Sequence, residues 1–120
     1  MADKRRARGE LESEVMAALW AADRPLTPAG VQAVLGGGLA YNTVQTILIR
    51  LVDKELVRRD AQGRGHVYWP ARDAATTAAE RMRAALTARP ERLAVLQQFA
   101  AGLDDQDAQT LRALLAERAV

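Results

Sequence analysis

Asn42, Gln45 and Thr46, with Thr43 and Arg50 on their flank, gather amides, hydroxyls and a guanidinium within the span 42–50. Base edges in the major groove of duplex DNA are arrays of hydrogen-bond donors and acceptors, and side chains of these types are what reads them. Chemistry of other kinds finds little support along the chain. No pair of carboxylates and no nucleophile beside a base stands out, and the acids are scattered as helix caps and solvated faces, so no enzyme is expected. His66 is the only histidine and there is no cysteine, which excludes disulfides, thiolate nucleophiles and a zinc site, and no cofactor is called for.

The element that must position these groups is a helix opening at Asn42. Val44, Ile47, Leu48, Leu51 and Val52 recur at i, i+3, i+4, i+7 and i+8 and define an apolar face. The polar face opposite carries Asn42, Gln45, Thr46 and Asp53. An ordinary amphipathic surface helix would look the same, so the neighbouring segments decide. From Leu39 to Pro70 the chain reads as helix, short strand, Gly-bracketed turn and second strand, the order of a winged helix-turn-helix. Asn42 is expected to be the N-cap, with Gln45 in the position of a capping-box partner. Gln45 therefore has two roles open to it, cap partner or bidentate adenine reader. Ile49 is the odd residue, projecting near the middle of the polar face. Two readings stand for it: contact with a thymine methyl, or packing against the wing or the N-terminal arm.

Upstream, Leu11, Val15, Met16, Leu19 and Trp20 fall at helical spacing over Glu10 to Ala22, and Asp23-Arg24-Pro25 breaks that helix. Thr27-Pro28 is a start signal, an N-cap followed by proline at the first helical position. The short helix it opens runs through Val31, Val34 and Leu35 and ends at Gly36-Gly37-Gly38. A triple glycine can suggest a phosphate cradle, but neither the flanking P-loop pattern nor a preceding strand is present, and the turn between two helices is the better reading. Downstream, Leu56 to Asp60 and His66 to Trp69 are strand candidates around the loop Ala61-Gln62-Gly63-Arg64-Gly65. Arg64 at its tip would reach a phosphate or a minor groove. Arg58 and Arg59 alternate faces, so only one can point at DNA.

At 120 residues and 49% hydrophobic the chain can bury one modest core, and with 4% aromatic content that core is mainly Leu, Val and Ala, which favours helix. Residues 1–72 hold eleven Lys or Arg against eight Asp or Glu, and residues 73–120 hold six against seven, a mild basic bias toward the front. The basic start Lys4-Arg5-Arg6-Ala7-Arg8 precedes the apolar run Val15 to Ala22. Glu10, Glu12 and Glu14 between them do not suit a secretory signal, and the run is too short to span a bilayer, so a cytoplasmic protein without membrane insertion is expected.

Three segments taken together carry a family resemblance: Glu-Val-Met-Ala-Ala-Leu-Trp at 14–20, Leu-Ala-Tyr-Asn-Thr-Val-Gln-Thr-Ile-Leu-Ile-Arg-Leu-Val-Asp-Lys at 39–54, and Gly-Arg-Gly-His-Val-Tyr-Trp-Pro at 63–70. In order and type they resemble the BlaI/MecI/CopY family of penicillinase-type repressors, over essentially the whole chain. The resemblance implies a dimeric transcriptional repressor that binds a dyad operator and controls genes such as those for antibiotic resistance or copper handling. It makes Tyr41, Thr43, Gln45, Thr46 and Arg50 operator-facing residues, joined on the residues' own chemistry by Asn42 and Arg64. Two departures matter. Glu55 stands where the family usually has glycine after the lysine ending the recognition helix, and the cysteines with which the copper-responsive branch binds metal are missing.

Residues 1–72 are thus expected to form the winged helix-turn-helix DNA-binding domain and 73–120 a helical dimerisation region, in a mainly α chain with one small β-hairpin. Asp73 is a plausible N-cap for Ala74 to Ala88, Pro90 restarts the chain, and Asp104 or Asp105 begins a last helix. Leu93, Leu96, Phe99, Leu103, Leu111, Leu114 and Leu115 have no sheet to cover them, and a homodimer packed tail to tail would bury them. In the penicillin-responsive branch a membrane sensor protease cuts the tail, and the matching bond here is Gln98-Phe99, with Gln where that branch has Asn. The competing reading is that Phe99 simply plugs the dimer core. A winged helix that binds protein in place of DNA is the other class of function, against which Arg50, Arg64 and the basic arm argue together.

Overall fold

A computed structural model describes residues 8–119. Its elements are α1 (Arg8–Ala21), α2 (Pro28–Leu35), α3 (Tyr41–Asp53), β1 (Val57–Gln62), β2 (Gly65–Pro70), α4 (Ala74–Thr87), α5 (Arg92–Gly102) and α6 (Asp105–Arg118). The basic arm Lys4-Arg5-Arg6-Ala7 lies outside the described residues. The chain divides into two compact units, Met1–Thr77 and Ala78–Val120.

The first unit is built on the apolar faces that the helical spacing marks. Val15, Met16 and Leu19 of α1, Val31 of α2, and Val44, Ile47, Leu48 and Leu51 of α3 are buried together with Leu26, Val57 and Tyr68. Leu11, Trp20 and Val52 pack at the edge of this cluster. Burying an aliphatic side chain of this size contributes about 1.5–3 kcal/mol relative to leaving it in water, so the cluster is the main stabilising term of the unit.

The start of α2 matches its signal: Thr27 adopts an extended conformation and its hydroxyl accepts the Gly30 amide at 3.0 Å, with Pro28 at the first turn. The triple glycine that follows has φ of 60°, 68° and 74° at Gly36, Gly37 and Gly38. Three consecutive left-handed residues are steeply unfavourable for any residue with a Cβ, and that requirement explains the composition of this turn.

β1 and β2 are antiparallel, paired from Val57 with Pro70 to Gln62 with Gly65. The strands are longer and the loop shorter than expected: only Gly63 and Arg64 connect them, and Gly63 has φ 62°. Glycine with positive φ at the first central position lets a two-residue turn match the strand twist, so the ladder closes up to Gln62. The sheet has a rudimentary third member that the sequence does not announce. Leu26 exchanges both backbone hydrogen bonds with Tyr68, at 2.9 and 2.8 Å, tying the α1–α2 connection to the wing.

Among the C-terminal helices, α4 and α6 are capped by side-chain carboxylates, and α5 has no side-chain cap. Asp73 accepts the Thr76 amide at 2.8 Å at the head of α4, and Asp104 accepts the Asp107 amide at 2.7 Å at the head of α6. Met82, Leu86, Val95, Leu96 and Phe99 line an apolar groove between α4 and α5 in the second unit. Large apolar side chains remain on its surface, Leu93 at 70% exposed and Phe99 at 43%, with Leu96, Leu111, Leu114 and Leu115 also exposed. Leu103 is half-buried at the C-cap of α5. Among the described residues no helix is long and apolar enough to cross a membrane.

Candidate nucleic-acid interface

Six of the seven expected DNA-facing residues lie on α3. Asn42, Thr43, Thr46 and Arg50 are exposed, Gln45 is half-buried, and Tyr41 is 44% exposed. With Val44, Ile47, Leu48 and Leu51 buried beneath them, the helix presents hydrogen-bonding groups outward and spends its aliphatics on the core. The seventh, Arg64, is exposed on the wing turn, apart from the helix.

The start of α3 corrects one expectation. Its N-cap is Ala40, extended, without a side-chain hydrogen bond, and Tyr41 is the first helical residue. Asn42 and Thr43 therefore sit inside the first turn, and no capping box joins Asn42 to Gln45. The Ala40 carbonyl accepts from the Val44 amide at 3.2 Å, so the cap lies two residues before the asparagine that looks like it. What sets this start is tertiary: Gln32 Nε2 of α2 donates to the Leu39 carbonyl at 2.7 Å, fixing the chain just ahead of the helix. No acid lies in the first turn, which leaves the positive end of the helix dipole without a countercharge of its own.

At the other end, Glu55 adopts φ 65°, the only non-glycine with positive φ among the described residues. Its amide donates to the Val52 carbonyl at 2.9 Å and the Leu56 amide to the Leu51 carbonyl at 3.0 Å. These are the two bonds of a Schellman motif, with glutamate in the place that glycine fills at least strain. Lys54 beside it forms an ion pair with Glu12 of α1, Nζ to Oε1 2.8 Å, so the helix end is strapped to the first helix.

On the hairpin, Arg59 shares the face of buried Val57 and Tyr68, and Arg58 points the other way, opposite Trp69; both are exposed. The His66 ring lies 6.3 Å from that of Tyr68, tilted by 49°, as a packing neighbour. Among the described residues no group of three or more His, Cys, Asp or Glu could hold a metal ion.

Sequence reasoning did not find the Gln32–Leu39 bond, the Glu12–Lys54 pair or the hydrogen bond from Trp20 Nε1 to the Arg72 carbonyl at 2.9 Å. For Gln32 a signal existed: it is a single long polar side chain on a short apolar helix. The other two join residues 42 and 52 positions apart, and nothing local marks them.

Three helices over one core, a hairpin wing, and an α3 whose outer face, Ile49 apart, consists of hydrogen-bonding groups define a winged-helix DNA-binding protein. The chain belongs to the penicillinase repressor family, a family of transcriptional repressors, whose model matches residues 8–117. It is 36% identical over 114 residues to the transcriptional regulator BlaI of two Mycobacterium tuberculosis strains, CDC 1551/Oshkosh and H37Rv, an overlap of 91% of this chain and 83% of each relative. A solved variant of Lactococcus lactis ZitR covers 99% of this chain and 80% of its own at 14% identity and a TM-score of 0.47, a likeness too loose to bear on fold or function.

Proposed function

We propose that the chain works as a homodimeric, sequence-specific repressor that binds a palindromic operator in the cytoplasm. The observation that carries this reading is the division of α3, aliphatic residues buried in the core and Asn42, Thr43, Thr46 and Arg50 exposed, in a chain of a repressor family. In helix-turn-helix proteins the N-terminal part of the second helix meets the base edges. Tyr41, Asn42, Thr43, Gln45 and Thr46 occupy that part, with Arg50 one turn on and Arg64 on the wing suited to phosphate.

The dimer is supported by the apolar side chains left on the second unit, Leu93, Leu96, Phe99, Leu111, Leu114 and Leu115, whose exposure in water is costly for a lone chain and is relieved by a second copy. Leu103, half-buried, would complete the contact. A twofold pair spaces its recognition helices by roughly one turn of DNA, about 34–36 Å, which makes the half-site spacing a quantity to measure. Derepression is assigned to a membrane sensor protease that cuts Gln98-Phe99. That bond lies within α5, so cutting requires this helix to unwind locally, and once cut the tail loses Phe99 from the dimer contact.

Selection of binding sites from random duplex DNA tests the reading. An inverted repeat bound by two chains, with log affinity falling linearly in log salt at a slope of about −0.9 per phosphate engaged, is the expected result. Indifference to every duplex, or binding with no salt dependence, would instead leave a protein-interaction module. Sedimentation of a Leu114→Glu, Leu115→Glu chain is expected to show monomer, and co-expression with a cognate sensor protease under β-lactam is expected to shorten the chain after Gln98.

A further inference from the structure

We infer that Ile49 is a specificity-determining residue that meets the C5-methyl group of a thymine in each operator half-site; the inference rests on the operator reading above. Ile49 lies in α3 one turn beyond Gln45 and Thr46 and one turn before Asp53, at the centre of the face turned away from Val44, Leu48 and Leu51. It is 39% exposed, and it belongs neither to the buried cluster nor to the partly buried fringe packed against it. A β-branched apolar residue at an exposed helical position is a poorer helix former than alanine and gains nothing from water. Its neighbours on that face, Asn42, Gln45, Thr46 and Asp53, are polar.

Two coverings within the chain compete with this reading, and neither suits the residue. The wing contributes Val57 and Tyr68 to the core, and the packed fringe around them does not include Ile49. The segment before α1 reads Met-Ala-Asp-Lys-Arg-Arg-Ala, too highly charged to bury an isoleucine. In the major groove, by contrast, one apolar group projects from a base edge, the thymine methyl. A helical turn advances about 5.4 Å and a base-pair step about 3.4 Å, so the thymine belongs to a pair one or two steps from the one Gln45 faces.

The test is a double-mutant cycle on the best duplex selected from random DNA, with each thymine of the half-site replaced in turn by uracil, which lacks only the methyl. For the native chain, one uracil position per half-site is expected to weaken binding about three- to fivefold, the effect of one buried methyl group. In Ile49→Ala that position is expected to show no loss, while losses at other positions stay as they were; Ile49→Val, which keeps a branched apolar tip, is expected to retain most of the discrimination. Ile49 is exposed, so thermal unfolding of both variants close to or above that of the native chain serves as the check that folding is intact. Sequence-specific binding with the same uracil losses in native and Ile49→Ala chains overturns this inference and leaves the operator reading standing. Failure to select any sequence overturns both.

Discussion

Gln32 and Leu39 meet across the glycine turn, amide nitrogen to carbonyl oxygen at 2.7 Å, and this bond decides where the recognition helix begins. It joins α2 to the turn that leads into α3. Replacing Gln32 with Leu keeps the size and removes the donor, leaving a part-buried carbonyl without its partner. The expected cost is about 1–2 kcal/mol, seen as a lower denaturant midpoint at unchanged slope. Operator affinity is expected to fall as well at temperatures where the variant is fully folded, because the first turn of α3 loses its anchor.

Glu55 occupies a left-handed position at the end of the same helix, and a side chain there costs roughly 1–2 kcal/mol that glycine avoids. Glu55→Gly is therefore expected to raise stability by about 1 kcal/mol, after the added flexibility of the unfolded chain is set against it. Glu55→Gln removes the charge and keeps the strain, and is expected to change stability by less than about 0.5 kcal/mol. Equilibrium denaturation of the pair separates backbone strain from electrostatics.

Arg64 stands at the second position of the wing turn, exposed, where its guanidinium can reach a phosphate. Arg64→Ala is expected to weaken binding to all duplexes alike and to reduce the log-log salt slope by about 0.9 for each wing that touches DNA. Gln45→Ala is the counterpart: loss confined to one base pair of the half-site, with the slope unchanged.

Hydrogen bonds from Thr76, its hydroxyl first and its amide second, hold the Asp73 carboxylate below the ordinary aspartate value of 3.8. A carboxyl depressed in the folded state adds stability above its unfolded value and loses it as pH falls through the folded one. The head of α4 is thus expected to loosen only below about pH 4. Asp73→Asn, which can still cap, is expected to remove this acid dependence, read as helicity against pH by circular dichroism.

Much of this fold is written in local patterns. The face of α3, the Thr27 cap with Pro28, the glycine stop and the carboxylates at Asp73 and Asp104 each act within one or two turns of helix, and each is seen where the spacing puts it. Asn42 misleads because its strong cap preference is outweighed by contacts made elsewhere, at Leu39 and in the core below Val44. The Leu26–Tyr68 bridge is a single pair and has no periodicity to detect. Glycine at Gly63 shortens the wing loop to two residues, a choice between turn lengths that composition leaves open. For the interface itself, residue types and helical period locate the outward face of α3, but the ranking of its members depends on a duplex that the chain alone does not contain.

Both tryptophans of the chain, Trp20 and Trp69, belong to the first unit, where Trp20 clasps the Arg72 carbonyl, while the second unit has a lone Phe99 as its aromatic residue. Indole emission consequently originates in the winged portion, whereas ellipticity sums the helices of both. Melting the protein at several dilutions while recording the two signals side by side would expose self-association as a concentration-dependent transition in the ellipticity, and the indole signal would tell whether the winged portion unfolds with it.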